Sequence, residues 1–125
     1  MLKKLSLSLI AAINNLTSGD SGGAYKNVSV NDLKNSSEAN KLILDVRQPD
    51  EFAQGHVPGA KLIPLGNLKA RLAEVPNDAP VYVVCQSGGR SQTASDLLSK
   101  NGKSDVRNVQ GGTSAWKAAG FPVQR

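Results

Sequence analysis

The chain has few of the residues that form cross-links and metal sites. Its 125 residues include one cysteine, one histidine and one tryptophan. A single cysteine excludes a disulfide within the chain and a zinc site built from several thiolates. Cys85 is therefore either a buried core residue or a reactive group.

Aromatic residues and clusters of basic residues are also scarce. Phe, Trp and Tyr make up 4% of the chain, so aliphatic side chains must form most of the core. Lys and Arg total 15 against 10 Asp and Glu, a formal charge of +5, but they are scattered and lack interleaved aromatics. This distribution does not predict a nucleic-acid surface, although a basic protein attracts small anions. The length fits one globular domain.

Residues 1–24 differ in composition from the rest of the chain. Leucine and isoleucine fall near a helical stripe in the first part, and Gly, Ser and Asp dominate from Thr17 to Gly23. This predicts an amphipathic segment followed by a flexible linker, too short to span a membrane. A secretory signal peptide is the alternative interpretation. We expect a cytoplasmic protein, or a periplasmic one if residues 1–24 are a signal peptide.

From Tyr25 onward, short apolar segments alternate with amphipathic ones, which predict strands and helices respectively. The predicted strands are 41–46, 61–63, 81–84 and 106–109, and the predicted helices are 30–35, 67–75, 90–100 and 113–119. This alternation predicts an α/β domain over residues 25–125, with a mostly parallel sheet covered by helices on both faces.

The residues around Cys85 have the composition of an anion-binding loop. Cys85 follows the clearest strand, and ligands bind at the carboxyl ends of strands in open α/β sheets. Gly88 and Gly89 allow a turn in which several backbone amides face one centre, and Arg90 and the next helix add positive charge. Such surroundings lower the pKa of a thiol, so we predict that Cys85 is a nucleophile. The residues predicted to bind the substrate are Gln86, Ser87, Gly88, Gly89, Arg90 and Ser91.

Three groups of motifs occur in order over about residues 30–123. The first is Leu44-Asp-Val-Arg47 with Glu51-Phe52, Gly55-His-Val-Pro-Gly-Ala60 and Ile63-Pro64. The second is Cys85-Gln-Ser-Gly-Gly-Arg90, and the third is Gly111-Gly112-Thr-Ser-Ala-Trp116 with Gly120-Phe-Pro-Val123. Together they resemble the single-domain form of the rhodanese family of sulfurtransferases.

This resemblance implies a fold and a reaction. The fold is a five-stranded parallel sheet flanked by helices. In the reaction, Cys85 takes sulfur from a small anionic donor such as thiosulfate and becomes a persulfide, and cyanide in vitro or a thiol in the cell then removes that sulfur. No metal or organic cofactor is needed, and a partner protein that carries sulfur could serve in either step. Because single-domain members are often monomers, we expect a monomer.

Other polar residues in the motifs have structural interpretations. Asp45 and Arg47 end a buried strand. We favour a buried carboxylate held by backbone amides or an arginine, with a role in lining or orienting the active loop as the alternative. His56 lies in a turn and is expected to be structural, because the loop itself activates the thiolate. Glu51 and Arg71 are interpreted as helix-surface charges or local ion pairs. The glycines at 111–112 are expected to allow tight packing before the last helix.

Two other functions stay open. Phosphatases of the dual-specificity, cell-cycle type share the fold, but their loop is one residue longer than the four residues between Cys85 and Arg90. A shorter ring of amides suits a single sulfur better than a tetrahedral oxyanion. Rhodanese-like binding or regulatory modules form the second alternative, and those that lack the cysteine differ from this chain at Cys85.

Overall fold

A computed structural model describes residues 24–125 of the chain. Five strands form one parallel sheet in the order β1-β5-β4-β2-β3. The strands are β1 (Lys26–Val28), β2 (Leu42–Asp45), β3 (Lys61–Leu62), β4 (Val81–Val84) and β5 (Val106–Val109). The predicted α/β fold with a five-stranded parallel sheet is confirmed. The amphipathic segment and linker are predicted over 1–24, of which residues 1–23 lie outside the described residues, and the division of the chain at residue 24 stays a prediction.

Five α-helices and one 3-10 helix connect these strands within residues 24–125. They are α1 (Val30–Lys34), α2 (Pro49–Ala53), α3 (Leu65–Leu68), the 3-10 helix (Lys69–Glu74), α4 (Gly89–Lys100) and α5 (Gly112–Ala118). Helix α1 begins at a capping box, in which the side chains of Ser29 and Asp32 each accept a hydrogen bond from the backbone amide of the other residue. None of the helices in this part of the chain is long and apolar enough to cross a membrane.

The sheet is buried on both faces because side chains alternate along each strand. In β4, Val81 and Val83 enter one hydrophobic cluster, and Tyr82 and Val84 enter the other. The first cluster is completed by side chains from β2, α3 and α4, which include Leu44, Leu68, Ala94 and Leu98. The second is completed by side chains from α1 and α5, which include Leu33 and Trp116. Helices therefore cover both faces of the sheet.

The elements that sequence patterns describe poorly are the exposed ones. Strands 81–84 and 106–109 have the predicted bounds, whereas no prediction covers β1 or α2. Two of the three residues of β1 are exposed, and α2 buries none of its residues, so neither has an apolar pattern. The helix predicted over 67–75 is instead α3 followed by the 3-10 helix, with non-helical backbone at Arg71.

The parallel arrangement determines where the site lies. The segments that follow β2, β4 and β5 all leave the sheet at the same edge, which brings together Arg47, Cys85 and Gly111. Three stretches that are far apart in the sequence therefore meet around the cysteine.

Candidate active site

Cys85 is the first residue after β4, and the loop that follows folds back over its sulfur. The residue is 1% exposed. The backbone amide of Gly88 donates to Cys85 Sγ at 3.0 Å. The thiol in turn donates to Ser91 Oγ at 3.4 Å, and the Ser91 hydroxyl donates to the Gly88 carbonyl at 3.1 Å. Gly88 has a φ of 118°, which residues with a side chain rarely adopt, so this turn requires glycine.

The loop favours the ionised form of the sulfur. Burial raises the pKa of the Cys85 thiol, but hydrogen bonds from the Ser91 hydroxyl and from the backbone amides of Ser91, Gly88 and Ser87 lower it, and the net pKa lies below the ordinary value. A thiolate can only accept hydrogen bonds, so on ionisation the Ser91 hydroxyl must turn its proton toward Sγ. The stabilisation therefore comes chiefly from fixed backbone dipoles and one hydroxyl.

Arg90 directs its guanidinium group toward Glu51 of α2. Two parallel hydrogen bonds of 2.8 Å join Nη1 and Nη2 of Arg90 to the two carboxylate oxygens of Glu51. These bonds, followed by one from the backbone amide of Gln48, lower the pKa of Glu51 to about 2. Glu51 lies on a helix and is partly exposed, but the interpretation of it as part of a local ion pair is wrong, because its partner lies 39 residues away in the sequence. Arg71 does form a local pair, with Glu74.

A buried ion pair links the end of β2 to the active loop. Arg47 donates from Nε and Nη2 to the Asp45 carboxylate at 2.8–3.1 Å, and the backbone amide of Arg47 donates to the same carboxylate at 3.0 Å. Arg47 also donates to Gln86 Oε1 at 3.1 Å and to the Gly55 carbonyl at 3.0 Å. The carboxylate is thus satisfied by an arginine and an amide, and the same arginine orients a side chain of the loop.

Helix α5 holds the loop from the other side. The backbone amide of Thr113 donates to the Cys85 carbonyl at 2.8 Å, and that of Ser114 donates to the Gln86 carbonyl at 3.0 Å. Gln86 Nε2 also donates to Ser114 Oγ at 3.1 Å. A Cβ atom on Gly112 would lie 2.3 Å from the Cys85 carbonyl oxygen, so this close approach requires glycine. The sequence indicates tight packing at 111–112, but it gives no sign that Cys85 is the partner.

The remaining predicted residues are exposed or lie away from the sulfur. Ser87 and Gly89 are exposed, and of these Ser87 contributes its backbone amide to the sulfur. His56 stacks on Phe52, with 3.6 Å between ring centroids, and its Nδ1 lies 2.9 Å from the Phe52 carbonyl oxygen. Its backbone pairs with Gln124. These contacts agree with the structural role expected for His56, which stays a prediction. In residues 24–125, no group of three or more His, Cys, Asp or Glu side chains is placed to hold a metal ion.

Comparisons with known proteins point to one family. The rhodanese-like domain family matches residues 29–119. The uncharacterized protein YqhL of Bacillus subtilis is 46% identical over 74 residues, which are 59% of this chain and 59% of YqhL. The thiosulfate sulfurtransferase GlpE of Shewanella oneidensis is 37% identical over 97 residues, 77% of this chain and 96% of GlpE. A rhodanese-like domain protein from Staphylococcus aureus has a TM-score of 0.71 at 34% identity, over 80% of this chain and 99% of that structure.

Proposed function

The chain belongs to the rhodanese-like domain family, and we propose that it is a sulfurtransferase that carries sulfane sulfur as a persulfide on Cys85. The observation that supports this most directly is the ring of loop donors around Sγ, which lowers the pKa of the thiol without any neighbouring base. Family membership and the name of the relative GlpE support the same reaction class.

The first step loads the enzyme. The Cys85 thiolate attacks the outer sulfur of the donor, a new S–S bond forms, and the bond between the two donor sulfurs breaks. With thiosulfate the leaving group is sulfite, which departs with the electron pair of the broken bond. The thiolate and the dianion together carry three negative charges, as do the Cys85 persulfide anion and sulfite. No proton has to be transferred, so the step needs no general base.

The second step returns the free enzyme. A nucleophilic acceptor attacks the outer sulfur, and the Cys85 thiolate is the leaving group. Cyanide gives thiocyanate in this step, and a thiolate gives a new persulfide. The amide of Gly88 and the hydroxyl of Ser91 stabilise the departing thiolate as they stabilise the resting one. A low thiol pKa thus serves both steps, since it favours the nucleophile and the leaving group alike.

A mass spectrum of the intact protein tests this proposal. After incubation with thiosulfate, the protein should gain the mass of one sulfur atom, and cyanide should remove it with the release of thiocyanate. Cys85→Ser should fold, because the smaller oxygen fits the buried position, and it should gain nothing, because a serine hydroxyl does not ionise to attack sulfur. A protein that gains no sulfur from thiosulfate or from any persulfide would favour a binding module. Ready hydrolysis of a phosphate ester by such a protein would favour a phosphatase.

A further inference from the structure

The charged side chains bonded to one another or to the active loop sum to zero while Cys85 is a neutral thiol. Four ionised side chains are joined to one another or to the loop by hydrogen bonds: Asp45, Arg47, Glu51 and Arg90. Two of them are positive and two are negative. The thiolate of Cys85 therefore gives this group a net charge of −1. This side-chain charge opposes a donor with a large negative charge, whereas the loop amides and the formal charge of +5 on the whole chain attract it.

The guanidinium group of Arg90 is paired with the carboxylate of Glu51. Both terminal nitrogens of the guanidinium donate to the carboxylate at 2.8 Å, a bidentate geometry that fixes the group and offsets its charge. The pair is only partly buried, with 36% of the Arg90 side chain and 29% of the Glu51 side chain exposed. A dianionic donor must then approach beside a carboxylate or displace it from the arginine.

We propose that Glu51 is a specificity-determining residue, which favours sulfur donors of low negative charge, the hydropersulfides of small thiols, over the thiosulfate dianion. This inference rests on the proposed sulfurtransferase function. With a hydropersulfide, the Cys85 thiolate attacks the terminal sulfur, the S–S bond of the donor breaks, and a thiolate leaves. One negative charge is present before and after the step, and the proton stays on the transferred sulfur.

The loading step measured alone tests this role. Reduced protein is mixed with either thiosulfate or the hydropersulfide of 2-mercaptoethanol, quenched at intervals, and analysed by mass for sulfur on Cys85. Glu51→Gln removes one negative charge but keeps an oxygen that can accept from Arg90 and from the Gln48 amide. It should speed loading from thiosulfate about tenfold and loading from the hydropersulfide less than about threefold, because Coulomb repulsion scales with the charge of the donor.

Two further variants separate charge from structure. Glu51→Asp keeps the negative charge, so its ratio of the two loading rates should stay near that of the native protein. Glu74→Gln removes a carboxylate from a similar bidentate pair whose partners, Arg71 and Lys61, lie outside the loop, so it should change neither rate.

Several results would overturn the inference. If Glu51→Gln slowed loading from thiosulfate, Glu51 would be positioning Arg90 to bind the anion. If Glu51→Gln slowed loading from both donors equally, the role of Glu51 would be structural. If Glu74→Gln also speeded loading from thiosulfate, the cause would be the net charge of the whole protein. In each of these cases the native protein still loads sulfur. Absence of loading from both donors in the native protein would instead reject the proposed function itself.

Discussion

Polar side chains cluster toward both ends of strand β4, around Tyr82 at the amino end and around Cys85 just beyond the carboxyl end. At the amino end, the Tyr82 hydroxyl donates to Glu38 at 2.6 Å, and Arg107 donates to the Tyr82 oxygen at 2.6 Å and to Glu38 at 3.0 Å. Arg107 also forms a bidentate pair with Asp105. An open cleft of about 530 Å³ lies against this cluster.

The two clusters differ in what their hydrogen bonds are directed at. Around Tyr82, the single guanidinium of Arg107 pairs with two carboxylates, those of Glu38 and Asp105, so the hydrogen bonds join fixed charges to one another. Around Cys85, backbone amides of the loop converge on one sulfur atom. The amino end has the cleft and a strongly lowered carboxyl pKa, but the carboxyl end has convergent donors on a sulfur atom, and we base the proposed reactive site on that feature.

The largest effect is expected at Gly112, where α5 lies against the backbone of Cys85. Gly112→Ala would place a Cβ atom 2.3 Å from the Cys85 carbonyl oxygen, at a φ of 57° that already disfavours a side chain. We expect a loss of about 3 kcal/mol in the free energy of unfolding from the overlap and the backbone strain. Displacement of the loop should also slow sulfur loading about a hundredfold. Urea denaturation and quenched mass spectrometry measure the two effects.

Gly102 is the matched control, because it follows α4 at the opposite end of the sheet. Its φ of 88° carries similar backbone strain, but a Cβ atom there meets nothing within 4 Å. Gly102→Ala should cost only about 1 kcal/mol and leave the loading rate unchanged. Equal losses of activity in the two variants would show that overall stability, and not loop position, controls the chemistry.

The place of Cys85 after a buried strand and before a glycine turn could be predicted from the sequence, whereas the residues that contact its loop from other elements could not. Cys85 follows a fully apolar strand and precedes two glycines, and both signals are local. Glu51 and Ser114 contact the residues of 85–91 from 39 and 28 residues away, and no local pattern encodes such pairs. Their positions depend on the strand order of the sheet, in which β2 and β5 flank β4.

A substitution at Ser91 shows how much its hydroxyl lowers the pKa of the Cys85 thiol at the carboxyl end of β4. Ser91→Ala removes the hydroxyl that can turn to donate to the Cys85 thiolate and keeps the amides, so the pH profile of Cys85 alkylation by iodoacetamide should move to higher pH. A hydrogen bond to a charged group contributes about 1.5 kcal/mol, so alkylation at neutral pH should slow about tenfold. Alkylation followed by mass over a pH series gives the profile.

Ser95 provides the control on the same helix. It is as buried as Ser91, but its Oγ has no hydrogen-bond partner within residues 24–125. Ser95→Ala should leave the alkylation profile where it is in the native protein. A profile that moves in both variants would indicate that helix packing, and not the Ser91 hydroxyl, determines the ionisation of Cys85.

The smallest effect is expected at the amino end. Hydrogen bonds from Tyr82 and Ser36, followed by those from Arg107, lower the pKa of Glu38 to about 2 from 4.5. Because the folded-state pKa is the lower one, the stability that this carboxylate contributes is present above pH 4.5 and is lost as the pH falls toward 2. Glu38→Gln should therefore make the decrease in Tm between pH 4.5 and about 2 smaller than in the native protein, as measured by circular dichroism. Glu51 and Glu74, whose pKa values are also lowered to about 2, should contribute to the dependence that remains. Sulfur loading at neutral pH should not change, and a slower rate would mean that the two ends of β4 are coupled.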